Sequence, residues 1–108
     1  MVTSYTINVL RHLTFLLRKG IVMERIISNT IENVGRFEYY LTKTSVDNIN
    51  TYGVAVKNIS EGYTEIVFDI WTEKEPVLKF INLIAKNQVT CVHLRQLCEE
   101  FVEELYSM

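Results

Sequence analysis

The chain reads as a single α+β domain, a three- or four-stranded antiparallel meander followed by two C-terminal helices packed on one sheet face. Three observations predict it. The 108 residues suffice for one core and no more. Apolar residues alternate with period two through residues 24–71 and then recur with period 3.6 from Val77 onward. Short connections between successive strands favour antiparallel neighbours over crossovers.

Residues 24–33 form the weakest strand pattern, with Ile27 and Ile31 opposite Ser28, Thr30 and Glu32, and Gly35 punctuates it. Residues 36–44 alternate Phe37, Tyr39 and Leu41 with Arg36, Glu38 and Thr42, a half-buried aromatic strand. Residues 45–50 are rich in Asx and read as a loop. Residues 51–59 place Tyr52, Val54 and Val56 on one face, and Gly62 turns the chain. In residues 63–71, Ile66, Phe68 and Ile70 are expected to face the helices, with Val67 and Trp71 pointing away.

Thr72 and Glu75 fit a capping box, with Pro76 in the first turn, where its missing N–H costs nothing. Val77, Phe80, Ile81, Ile84 and Ala85 make one apolar stripe, and Asn87 is suited to close the helix in a left-handed conformation. Thr90 is an acceptable cap for a second helix striped by Leu94, Leu97, Cys98, Phe101, Val102 and Leu105. The brief connection between them makes a helical hairpin.

Composition narrows the function classes. With 48% hydrophobic and 22% charged residues the chain is globular. A net charge of −2 argues against a general nucleic-acid binder, which needs a basic surface. Apolar runs stop well short of the ~20 residues that span a bilayer. Two cysteines make no disulfide framework, so a reducing cytoplasm is the expected compartment.

Charge is uneven. Residues 1–22 hold Arg11, Arg18 and Lys19 and no acid, whereas residues 23–108 set 8 bases against 13 carboxylates. Targeting-peptide features are lacking. Two readings of residues 1–22 stay open. Met23 is the biological start, because Arg18, Lys19 and Gly20 can be encoded by a purine run resembling a ribosome-binding site. Alternatively the segment is a native N-terminal helix, although residues 2–7 favour β structure. If native, Leu10, Leu13, Phe15, Leu16 and Leu17 suit contact with a membrane surface.

No metal is expected, since Cys91 and Cys98 are about 10.5 Å apart on a helix and lack further ligands. Cys91 beside His93 suits an activated thiolate, but residues two apart seldom face each other on a helix and no oxyanion hole is evident. Glu99, Glu100, Glu103 and Glu104 mark the solvated face of the last helix, where they oppose its dipole, a cost that a basic partner relieves. Exposed strand aromatics suit RNA stacking, but too few bases flank them.

Thr51-Tyr52-Gly53-Val54, Phe68-Asp69-Ile70, Asn87 and Val92-His93-Leu94-Arg95 with Glu99-Glu100-Phe101 resemble a family of short uncharacterised clostridial-type proteins, a domain of unknown function. The resemblance covers roughly residues 39–101 and implies a bacterial protein beginning near Met23. By the resemblance Tyr52, Gly53, His93, Leu94 and Arg95 are typical positions, while Cys91 replaces an expected proline and Gln96 an expected acid. It implies no catalytic motif and no cofactor.

The expectation is therefore a non-enzymatic cytoplasmic interaction module, pairing with itself as a homodimer or with a protein partner. Its surface would be the uncovered sheet face, carrying Trp71, Val67, Tyr39 and Tyr40. The alternative is a small anionic ligand, or an unrecognised reaction, at His93, Arg95 and Tyr52 near a helix start.

Overall fold

The computed structural model describes residues 3–8 and 21–107. Strands β1 (Thr3–Asn8), β2 (Ile21–Ile31), β3 (Gly35–Val46), β4 (Ile49–Asn58) and β5 (Tyr63–Trp71) precede helices α1 (Lys74–Lys86) and α2 (Cys91–Tyr106). One five-stranded sheet has the order β1-β5-β4-β3-β2, with every neighbour antiparallel. Strands β2 to β5 are the expected meander. The β-favouring opening of the chain adds a fifth strand beside β5, with Thr3 opposite Phe68 and Asn8 opposite Tyr63. Ile21 and Val22 also lie within the sheet, ahead of Met23. The apolar stripe from Leu10 to Leu17 and the Arg18-Lys19-Gly20 run lie outside the described residues.

The turns follow their residue chemistry. The expected loop at 45–50 tightens to a two-residue hairpin turn, because Asp47 and Asn48 adopt φ of 51° and 66°. Successive positive φ values match the right-handed twist of the flanking strands. Ser45 therefore pairs with Asn50, and Val46 with Ile49. At Gly35, φ is 139° and an added Cβ would lie 2.7 Å from the Ser60 hydroxyl oxygen. That oxygen accepts the Arg36 N–H at 3.0 Å, so the glycine lets two turns approach each other.

Strand β5 changes phase. Asp69 has φ of 59°, and the register with β4 slips between the pairs Val54–Val67 and Tyr52–Trp71. The Thr51 hydroxyl donates to the Asp69 carboxylate at this bulge. The slip leaves two extra residues on β5, and Val67 and Ile70 both pack beneath the helices. Ile66 instead lies on the other face with Ala55, Met23 and Tyr40. The expected orientation of β5 is thus reversed at Val67 and Ile66, since Val67 stands opposite the inward Val54. The Phe68 side chain lies outside the described residues.

The helices cover one sheet face through the stripes expected of them. Val77, Ile81, Leu94 and Cys98 are fully buried against Phe37, Tyr39, Leu41, Val54 and Val56. Their ends differ in detail. Glu73, not Thr72, is the N-cap of α1, and it makes no side-chain cap bond. Asn87 keeps a φ of −90°, and the left-handed residue is Gln88 at 55°. Thr90 caps α2 as expected, without a side-chain bond.

Three side-chain bonds fasten the hairpin's turn to the sheet. The Tyr39 hydroxyl donates to the Val89 carbonyl at 2.7 Å. Asn29 donates to the Ala85 carbonyl at 2.8 Å, and the Cys91 thiol to the Val56 carbonyl at 3.3 Å. Replacing Tyr39 by Phe keeps the ring and strips the Val89 carbonyl of its donor. Tyr39→Phe should lower unfolding free energy by about 1–2 kcal/mol, read as an earlier urea midpoint at unchanged slope.

Candidate functional site

The sheet does not bury every apolar residue of the two helices. On α2, Leu94 and Cys98 face the strands, leaving Leu97, Phe101 and Leu105 only partly buried along the side nearest α1. On α1, Phe80 is 7% exposed while Leu83, three residues on, is 57% exposed. Phe80 and Phe101 stack with ring centroids 4.3 Å apart at 15°. Between the helices lies an open groove of about 870 Å³ with these residues as its floor.

Its walls are acidic. Glu73 and Glu75 from the start of α1 and Glu100 and Glu104 from α2 line it, against the single ammonium of Lys79 among the described residues. None of the four carboxylates belongs to an ion pair among the described residues, where Arg25 and Arg36 pair with Glu38 and Arg95 with Glu99. The last turn of α2 carries no basic residue, so its exposed carbonyls add partial negative charge nearby. Negative potential is thus concentrated over apolar surface.

The residues expected to form a sheet interface do not share an open face. Tyr39 and Val67 are fully buried under the helices. Trp71 packs on the helix side, edge-on to Tyr106 at 5.2 Å and 76°. Tyr40 is on the opposite face, where Ala55 and Ile66 are also fully buried. The centre of the sheet is closed on both sides. This corrects the expected placement of the interface: Val67 and Trp71 both lie on the helix side, Val67 opposite the inward Val54, and the helices cover Tyr39.

Nor does the structure gather the alternative trio. His93 is exposed and lines a depression of about 410 Å³ at the interhelical turn, with Gln88, Thr90 and Gln96. Arg95 is turned to Glu99, its Nε 3.3 Å from Oε1. Tyr52 packs against the main core at the far end of β4, opposite Trp71. Neither Arg95 nor Tyr52 lines the depression beside His93.

A polar cluster that the alternation pattern left unremarked occupies the face away from the helices. Glu38 accepts the Tyr40 hydroxyl at 2.6 Å and the Arg25 guanidinium at 3.1 Å. Lys57 sits 5.0 Å above the Tyr40 ring. The Tyr40 bond, helped by Arg25 and opposed by burial, holds the Glu38 carboxyl below its ordinary range. Burial and then Glu38 push the Tyr40 hydroxyl up to about 12. Cross-strand pairing was the available signal, since Arg25 stands opposite Tyr40.

The cysteines are held as thiols. Burial pushes Cys91 up to about 11 and raises Cys98 further, the opposite of what a thiolate nucleophile requires. No group of three or more His, Cys, Asp or Glu able to hold a metal occurs among the described residues. No helix among them is long and apolar enough to cross a membrane.

Fold and surface together define a small α+β domain with an open groove on its helical hairpin. The chain belongs to the family of unknown function DUF6514, whose sequence pattern matches residues 18–104. That span contains the residues 39–101 on which the resemblance was drawn. No curated protein and no solved structure matches the chain.

Two outcomes follow from the polar groups. Glu38 has a lowered folded pKa, so its stabilisation is present above the unfolded carboxylate value and is lost as pH falls through the folded one. Tyr40 has a raised one, so stability falls as pH rises from the unfolded tyrosine value of about 10 toward about 12. Glu38→Gln should flatten the acid limb of urea midpoint against pH and shrink the alkaline one. Separately, an aromatic disulfide reagent at mildly alkaline pH should label neither cysteine in the folded chain and both after denaturation; rapid labelling of the folded chain would contradict their burial.

Proposed function

We propose that this chain is a non-enzymatic interaction module of the bacterial cytoplasm, and that it docks a protein segment in the groove between α1 and α2. The observation that carries this reading is the exposed apolar floor. Leu83 is 57% exposed beside the stacked Phe80–Phe101 pair, where a finished helix pair would bury such a side chain. Helical grooves of this kind accept an amphipathic segment through a few apolar anchors.

Other features support the same reading. A docking surface on the sheet is disfavoured because residues on both of its faces are fully buried. A thiol-based reaction is disfavoured by the raised Cys91 and Cys98 values. Two buried, unbridged cysteines suit a reducing compartment. The bacterial assignment rests on the resemblance to short clostridial-type proteins.

A photo-crosslinking amino acid at position 83 tests this in the native cell, with one at Val22, 65% exposed on β2, as the comparison. Position 83 should give an adduct of one defined mass, absent from position 22 and lost when Leu97→Asn is added. Adducts of equal yield from both positions, or none from position 83, would rule the groove out as the docking surface.

A further inference from the structure

We infer that the occupant of the groove is a basic amphipathic helix from another protein, and not a second copy of this chain. This deepens the reading above and rests on it. Charge complementarity around an apolar strip favours it. Glu73, Glu75, Glu100 and Glu104 line the groove on both sides, with only Lys79 among the described residues to offset them. Carboxylates flanking apolar surface are strongly solvated, and covering them with a neutral or acidic segment removes water without replacing it. Lysines or arginines along the edges of a docked helix supply the missing counter-charge while its apolar face meets Phe80, Leu83, Leu97 and Phe101.

The geometry sets the length. From Glu73 to Leu83 the wall extends about 15 Å at ~1.5 Å per residue. A bound helix therefore needs about three turns, with apolar residues at i, i+3, i+4 and i+7 and basic residues on either side. A second copy fails on symmetry. Two-fold pairing at this groove sets two acidic-walled surfaces against each other and supplies no basic counter-charge beyond each copy's Lys79 among the described residues. The C-terminal end of α2 deepens the preference, because Glu103 and Glu104 lie where the helix dipole is already negative and no basic residue offsets it.

The test uses the full chain and two labelled helical peptides of about fourteen residues with the same leucine spacing, one carrying lysines and one glutamates on the polar face. Fluorescence anisotropy reads binding. The lysine peptide should bind and the glutamate peptide should bind at least about tenfold more weakly. Leu83→Asn, at an exposed position that folding does not need, should weaken the lysine peptide by a similar factor. Glu100→Lys/Glu104→Lys should abolish the preference for lysine, whereas Glu32→Lys/Glu61→Lys, the same charge change on exposed sites away from the groove, should leave it.

Each other result overturns something specific. Equal binding of both peptides, weakened alike by Leu83→Asn, removes the basic partner and leaves the groove as a docking site. Binding indifferent to Leu83→Asn, or none at all, removes both. Concentration-dependent self-association in light scattering that Leu83→Asn abolishes makes a second copy the occupant and overturns the inference.

Discussion

The hairpin is fastened to the sheet at one end, and much of the surface chemistry depends on that. Its tethers fall at Ala85, Val89 and Cys91, all within a few residues of the interhelical turn. Each joins a side chain to a backbone carbonyl, so the turn is located by directional bonds as well as by apolar contact. At the other end, Glu73 caps α1 without a side-chain bond, and α2 ends on Ser107, whose hydroxyl bonds its own helix at the Glu103 carbonyl. There the helices rest on the sheet and on each other through apolar contacts such as Trp71–Tyr106 and Phe80–Phe101. The groove runs along this less tethered part, on the side of the pair turned from the strands.

Much of this architecture is legible in the residues, because period two and period 3.6 are both strong here. Phe37, Tyr39 and Leu41 share a face as their alternation requires, and the stripe from Val77 to Ala85 is buried residue for residue. What escaped were local backbone events that period counting cannot register. Asp69 takes a left-handed φ inside a strand, and alternation written straight through it puts Ile70 on the face of Ile66, whereas Ile70 joins Val67 beneath the helices. Asp47 and Asn48 hold the residues of a two-residue turn, yet the polar stretch around them reads equally as a loop until the strands are paired. The place of β1 beside β5 is a matter of long-range topology, which β propensity alone does not specify.

The groove was half legible. The glutamates of the last helix and the breadth of its apolar stripe are plain in the sequence, and each has an ordinary explanation when taken alone: a solvated face and a core face. Their conjunction depends on the crossing of two helices. Stacking Phe80 on Phe101 directs Leu83 and Leu97 into the same furrow and brings Glu73 and Glu75, distant in sequence, opposite Glu100 and Glu104. Only that juxtaposition turns two unremarkable stripes into an apolar surface enclosed by one sign of charge.

The same juxtaposition explains why the furrow stays open. Surface glutamates facing one another gain nothing from approach, so the walls do not zip together as an opposite-charge pair would. Arg95 illustrates the contrast: one turn from Glu99 on the same helix, it forms an ion pair and its charge is spent locally. Along the groove, Lys79 is the lone cation among the described residues, too few to bridge both walls. Apolar residues there are held in reach of solvent by their own charged neighbours. On the proposed reading the counter-charge that would close the furrow comes from the docked segment, and the chemistry of the walls specifies its sign.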